Sequence, residues 1–132
     1  MDKVRKELPE VVIVALPGAS ALTTALSSSG ITSSTFTFYG FMPHKKGRET
    51  LFKTILESEY TSVFYESVHR IEKTLDSLVA ALPPTRNIVV ARELTKMHEE
   101  VVRGTAQEIK DYFILHKDHL RGEFVVVVEG QK

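Results

Sequence analysis

The sequence predicts an α/β fold: a mixed, mostly parallel sheet of about five to six strands flanked by helices. Three observations carry that expectation. The run Val11–Leu16 (VVIVAL) and the stretch Arg86–Leu94 (RNIVVAREL) are β-branched and apolar, as in strands buried on both faces. The segment around Ile71, Leu75, Leu78, Val79 and Leu82 repeats every third or fourth residue, the stripe of an amphipathic helix. Strand-like and helix-like segments alternate along the chain, broken by one strand–strand step that reads as a hairpin.

Each element has a local reason. After VVIVAL comes a Pro17-Gly18 turn, then a helical segment built from Ala, Ser and Thr that ends at Gly30, a suitable left-handed cap. Residues 34–41 (STFTFYGF) place Phe36 and Phe38 on one face and Thr35, Thr37 and Tyr39 on the other, the pattern of a half-buried strand. Leu51, Phe52, Ile55 and Leu56 mark a second helix, and residues 61–67 (TSVFYES) a short strand. The periodic helix that follows stops at Pro83-Pro84, where ring sterics forbid continuation. Residues 98–104 (HEEVVRG) read as the returning arm of the hairpin. Thr105 and Glu108 form a T-x-x-E capping box at the head of the last helix, and EFVVVVEG closes the chain as a strand.

Composition excludes several classes. The chain has 132 residues, enough for one domain, and 42% are apolar, with seven Phe and four Tyr to fill a core. Lys plus Arg and Asp plus Glu number 17 each, so no global field draws it to a polyanion; any such site is a local patch. With no cysteine, it has neither disulfides, thiolate metal ligands nor a Cys nucleophile. That suits a cytoplasmic setting. No apolar run approaches the roughly 20 residues that span a bilayer, and the charged start MDKVRKELPE has no signal-peptide core.

Strand ends turn polar at Pro17–Ser20, Glu66–Arg70, Arg92–Glu93 and Pro43–Arg48, which together suggest a concave polar rim where α/β sheets bind ligands. At Gly18–Ser20 two readings stand. Small residues there admit a ligand to the backbone, or they let a helix approach a sheet closely. G-x-G-x-x-G and the P-loop pattern are both absent, as is a G-x-S-x-G elbow. His44, His69, His98, His116 and His119 show no metal-ligand spacing. The cluster His44, Lys45, Lys46, Arg48 reads either as a solvated loop or as a local contact to nucleic-acid phosphates. Glu66, Glu93 and Glu123 are candidate bases, or ion-pair partners of nearby arginines.

In order, the motifs LPGASALTTALSSSG, F-Y-G-F-M-P-x-K-K-G, VFYESVHRI, VARELTKMHEEVVRGT and RGEFVVVVEG resemble the C-terminal part of the bacterial small-subunit rRNA (cytidine-2′-O)-methyltransferases. These belong to the tetrapyrrole-methylase (class III) superfamily. The resemblance runs from about residue 11 to the end, with Ala19 where the family often has Pro. It implies an S-adenosyl-L-methionine-dependent enzyme that methylates a ribose 2′-hydroxyl of small-subunit rRNA. The enzyme is commonly a homodimer, with the cofactor in a cleft between two domains. It implies cofactor contacts at Ser20, Ala21, Tyr65, Ala91, Arg92, Gly122 and Glu123, and RNA contacts at Lys45, Lys46, Arg48 and Lys96, with Arg92 also plausible. It identifies no catalytic base. It further implies that 11–132 is the C-terminal domain, that 1–10 is a remnant or start segment, and that the N-terminal domain of the full enzyme is absent. The competing expectation is a non-catalytic RNA-binding, partner-binding or dimerisation module of the same fold.

Overall fold

The computed structural model describes residues 2–131. Five strands, β1 (Phe36–Phe41), β2 (Thr61–Ser67), β3 (Asn87–Arg92), β4 (Glu100–Thr105) and β5 (Glu123–Val128), form one sheet in the order β1-β2-β5-β3-β4. The helices are α1 (Asp2–Glu7), α2 (Ala21–Ser29), α3 (Arg48–Glu57), α4 (Ile71–Ala81) and α5 (Ala106–Leu115), and Lys117–His119 adds one 3-10 turn. Local chemistry sets the helix ends as expected. Gly30 takes φ 74° behind α2, and Thr105 and Glu108 exchange both bonds of the capping box at α5.

The sheet corrects the expectation of mostly parallel pairing. Only β1 and β2 pair in parallel; β2–β5, β5–β3 and β3–β4 are antiparallel. Each helical crossover (β1 to β2, β2 to β3, β4 to β5) does preserve strand direction, as alternation implies. The 93–99 hairpin reverses β4 and so β5, and β5 inserts between β2 and β3 instead of adding at an edge. One reversal followed by one insertion therefore turns most ladders antiparallel.

A second correction concerns Val11–Leu16. This run is irregular, not a strand, and its side chains face solvent: Val12 is 83% exposed and Leu16 84%. Its β-branched composition is right for a strand, but no strand of the described sheet offers it a ladder. A third concerns β1, whose apolar face is the less covered one. Phe36 and Phe38 each keep more than a third of their surface exposed, whereas Tyr39 packs on the core.

The two faces are unequally covered. Helices α3, α4 and α5 pack Ile55, Ile71, Leu75, Leu78, Ile109 and Phe113 over Phe64, Ile88, Val90, Phe124, Val126 and Val128. The other face, with Val63, Val89, Ala91, Val125 and Val127, is covered by α2 alone through Leu22, Ala25 and Leu26. This explains one use of the small residues. Ala25 is fully buried, and the serine hydroxyls bond back to the helix, Ser28 Oγ to Thr24 O at 3.0 Å and Ser29 Oγ to Leu26 O at 2.9 Å. A polar side chain satisfied by its own helix can sit in a thin layer without a further partner. Arg103 of β4 then donates to the carbonyls of Ser28 and Ser29, placing a cation at the negative end of α2.

The close seat of α2 makes a direct prediction. Ala25→Leu overpacks the helix–sheet contact and costs about 1–3 kcal/mol, read as a lowered urea midpoint. A midpoint equal to wild type would show that α2 is not held against β5.

Candidate cofactor cleft at the strand tips

Because β1, β2 and β3 run one way and β4 and β5 the other, the C-terminal ends of the first three meet the N-terminal ends of the last two along one edge of the sheet. Register places Ser67 opposite Glu123, and Arg92 opposite both Phe124 and Glu100. Between these tips and the start of α2 lies a cleft of about 160 Å³, lined by Ala21, Phe41, Tyr65, Glu93, Leu94, Lys96, Glu123, Phe124 and Val125. Its lining is chiefly apolar and aromatic, with carboxylates at the mouth.

The aromatic wall depends on a bulge. Phe38 and Phe41 lie three residues apart and would point to opposite faces of a regular strand. The β1–β2 register shifts between them, with Gly40 at φ 67°. Both rings therefore meet Tyr65 edge-on, at centroid distances of 4.9 and 5.3 Å.

The acidic lip is built by residues 93–99. Glu93 and Thr95 hold left-handed φ values of 49° and 65°, which a non-glycine residue adopts at a cost of about 1–2 kcal/mol. Glu93 accepts hydrogen bonds from Lys96 Nζ and from the Glu123 N–H, both at 3.1 Å. The Lys96 bond first, then the backbone N–H, holds the Glu93 carboxyl below its ordinary range. Gly122, at φ 81°, lies directly under this carboxylate, and a Cβ there would overlap it. Lys96 also reaches Glu123 Oε2 at 3.5 Å.

Beside the cleft, the fully buried Glu66 carboxylate anchors the loop after β1. It pairs with Arg48 Nη1 at 3.3 Å and Arg70 Nε at 3.0 Å, and accepts from Thr74 Oγ1 at 2.8 Å and from the Ser67 N–H. Arg70 also donates to Met42 O at 2.9 Å, and Arg48 to Thr74 Oγ1 at 2.6 Å. Two guanidinium groups thus compensate one buried carboxylate and fix residues 42–48 on the sheet.

On the far side of Glu93, Glu100 gathers a second network. It accepts from Arg92 Nε at 2.6 Å and from the Tyr112 hydroxyl, and lies 3.0 Å from His119 Nδ1. Burial alone would raise its pKa; the bonds from Arg92, Tyr112 and His119 outweigh that and lower it.

Of the residues expected at the cofactor, Ala21, Tyr65 and Glu123 line the cleft. Ser20 is the residue before α2; its carbonyl accepts from Thr24 N, and its hydroxyl makes no cap bond. Ala91 is sealed in the core, Gly122 lies under Glu93, and Arg92 faces a separate depression. Of the expected RNA contacts, Lys45 and Lys46 are exposed just beyond Phe41, and Lys96 lines the cleft. Arg48 instead turns inward to Glu66 and Thr74, so its charge is already compensated. Phe41, Leu94, Phe124 and Val125 were the residues sequence reasoning missed. Gly40 and the tight Glu93–Thr95 turn were the available signals, but neither says which way a neighbouring ring points. Among the described residues no group of His, Asp and Glu could hold a metal ion, and no helix is long and apolar enough to cross a membrane.

Five strands with one central reversed strand carry an apolar cleft at their tips, with a small-residue helix at its edge. Comparison with known proteins supplies the family. The sequence model for Tetrapyrrole (Corrin/Porphyrin) Methylases matches residues 1–110, and the chain belongs to that family. It is similar to the Ribosomal RNA small subunit methyltransferase I of Haemophilus influenzae, 42% identical over 120 residues, covering 90% of this chain and 42% of that protein. The Bacillus subtilis protein of the same name is 44% identical over 119 residues, covering 89% of this chain and 40% of that protein. The chain therefore spans about two-fifths of the length of these relatives. Among solved structures, cobalt precorrin-4 methyltransferase CbiF superposes with a TM-score of 0.65 at 16% identity, over 96% of this chain and 56% of that one. The methyltransferase CobJ gives 0.62 at 20% identity, over 98% and 56%. At these identities the two structures speak for the fold alone.

The Glu100 network carries a signed pH prediction. A carboxylate whose pKa is lowered on folding contributes stability above its unfolded value and loses it as pH falls through the folded one. Glu100→Gln should therefore cost about 1–3 kcal/mol at pH 7, and the gap to wild type should close as pH falls below the ordinary carboxylate range. Denaturant unfolding across that range checks it; a gap independent of pH would show that the charge plays no part.

Proposed function

We propose that this chain is the C-terminal half of an S-adenosyl-L-methionine-dependent methyltransferase that 2′-O-methylates a cytidine ribose in small-subunit rRNA. The observation that carries the reading is the gathering of strand tips around one apolar, aromatic cleft. The named relatives supply the substrate class. The cofactor, when bound, supplies an electrophilic methyl group on sulfonium. The residues present fit part of it. Phe41 and Tyr65 offer ring surfaces for a purine, and Glu93 and Glu123 offer acceptors for ribose hydroxyls or an ammonium group. Ala21 leaves room for close approach at the start of α2. Lys45, Lys46 and Lys96 stand as RNA contacts in this reading; the compensated Arg48 does not.

The cleft is one wall only. Sites that enclose a drug-sized ligand measure about 300–1,000 Å³, well above the 160 Å³ found here. In this reading an N-terminal domain of a longer polypeptide supplies the opposite wall and covers Val11–Leu16, whose exposed apolar side chains are otherwise unexplained. Residues 1–10 then lead out of that domain. The full protein would work in the cytoplasm as a homodimer, and the exposed face of β1 at Phe36 and Phe38 offers one surface for association.

Halving the contacts removes several decades of affinity, at about 1.4 kcal/mol each. The 132-residue chain should bind S-adenosyl-L-methionine weaker than micromolar by calorimetry and transfer no methyl group to small ribosomal subunits. The longer polypeptide should bind the cofactor at micromolar affinity and transfer the methyl group, and Tyr65→Ala within it should weaken cofactor binding about tenfold. Micromolar binding by the short chain would contradict the half-site. A longer polypeptide that binds RNA but neither cofactor nor methyl group would favour the non-catalytic module.

A further inference from the structure

A second depression, of about 390 Å³, opens on the other side of Glu93 and is lined by Arg92, Glu93, His98, Asp118, His119 and Arg121. Its deepest member is Arg92, only 7% exposed. Arg92 spends Nε on Glu100, which is itself held by Tyr112 and His119. The aim of the guanidinium is thus set by β4, α5 and the 3-10 turn together. Its two Nη groups make no hydrogen bond among the described residues, yet neither is a sealed, unsatisfied atom. The side chains of Arg121 and His98 are exposed and likewise make no ion pair or hydrogen bond among the described residues. Of the two acids of the depression, Glu93 is turned to Lys96 and the Glu123 N–H. Asp118 remains, a rim carboxylate 75% exposed and 3.7 Å from His119 Nε2.

Two open Nη donors on Arg92, whose charge Glu100 offsets, stand beside the guanidinium of Arg121, which has no partner among the described residues; together they match an anion with several oxygens spread in space, as in a phosphodiester. The depression shares Glu93 with the apolar cleft, so a polymer threaded past one passes the other. We propose that Arg92 and Arg121 seat a backbone phosphate of the RNA whose ribose is presented to the neighbouring cofactor cleft. This rests on the reading of the chain as part of an RNA methyltransferase. It adds Arg121 and this depression to the RNA contacts, and of the two roles expected for Arg92 it selects the substrate one.

The test uses exposed positions, so that folding is not at stake. A labelled single-stranded RNA carrying the small-subunit rRNA target segment is titrated by fluorescence anisotropy, between 50 and 200 mM salt, against wild type, Arg121→Gln and Asp118→Asn. Binding of S-adenosylhomocysteine is followed in parallel by amide shifts. Arg121→Gln should weaken RNA binding at least threefold and flatten the log–log salt slope by about one. Asp118→Asn, which removes the opposing charge, should tighten it. Neither should alter the cofactor shifts. RNA binding by both variants with wild-type affinity and slope would overturn the phosphate site and leave the RNA reading intact. Loss of cofactor shifts without loss of RNA binding would overturn it in favour of a site for the cofactor's carboxylate. The same titration is run on the longer polypeptide, and its failure to bind RNA would overturn both this inference and the RNA half of the proposed function.

Discussion

Strand β5 runs against both of its neighbours, and the rim of this molecule owes its position to that insertion. Val125 to Val128 are buried on both faces, between β2 on one side and β3 on the other. Glu123 and Phe124 are thereby delivered to the same edge as Tyr65, Arg92 and Phe41, although they lie far apart in sequence. Phe124 is itself nearly fully buried and forms the cleft's floor. The polar groups around it are held by fixed partners: Glu93 by Lys96 and the Glu123 N–H, Glu66 by two arginines, Glu100 by three donors. A rim so tethered is preorganised, and its geometry does not wait on a ligand.

The uneven covering of the sheet is the second consequence. Three helices close one face, whereas a single nine-residue helix closes the other. That economy works only because Ala25 admits the helix to contact distance and its serines satisfy themselves. What α2 does not reach is left exposed: the phenylalanines of β1 and the run from Val11 to Leu16. Apolar surface in that arrangement is characteristic of a domain face that meets something else.

Much of this was legible in the residues. The capping box at Thr105, the left-handed Gly30, the proline stop after α4 and the hairpin at 93–99 are all local rules, and each held. Pairing direction was not legible, because alternation of helices and strands fixes the direction of successive strands but not which strand slips between which. The misreading of Val11–Leu16 has the same root. Composition states that the run suits a ladder; only the sheet shows whether one is present. At the site, Ala21, Tyr65 and Glu123 line the cleft because they sit at strand or helix tips. Ala91 shares a row and a face with Tyr65 and Val125, but it is fully buried in the layer beneath α2 and Leu94. Arg48 failed because its charge was matched by a carboxylate 18 positions away, beyond any local pattern.

In the proposed function, one edge of this sheet is a wall of a methyl-donor site. Amide shift mapping with a large excess of S-adenosylhomocysteine reads that claim residue by residue, even at weak affinity. The perturbed amides should cluster at Ala21, Phe41, Tyr65, Glu93 to Lys96 and Glu123 to Val125. Shifts concentrated instead at the opposite end of the sheet, around Arg86 and Glu129, would contradict it.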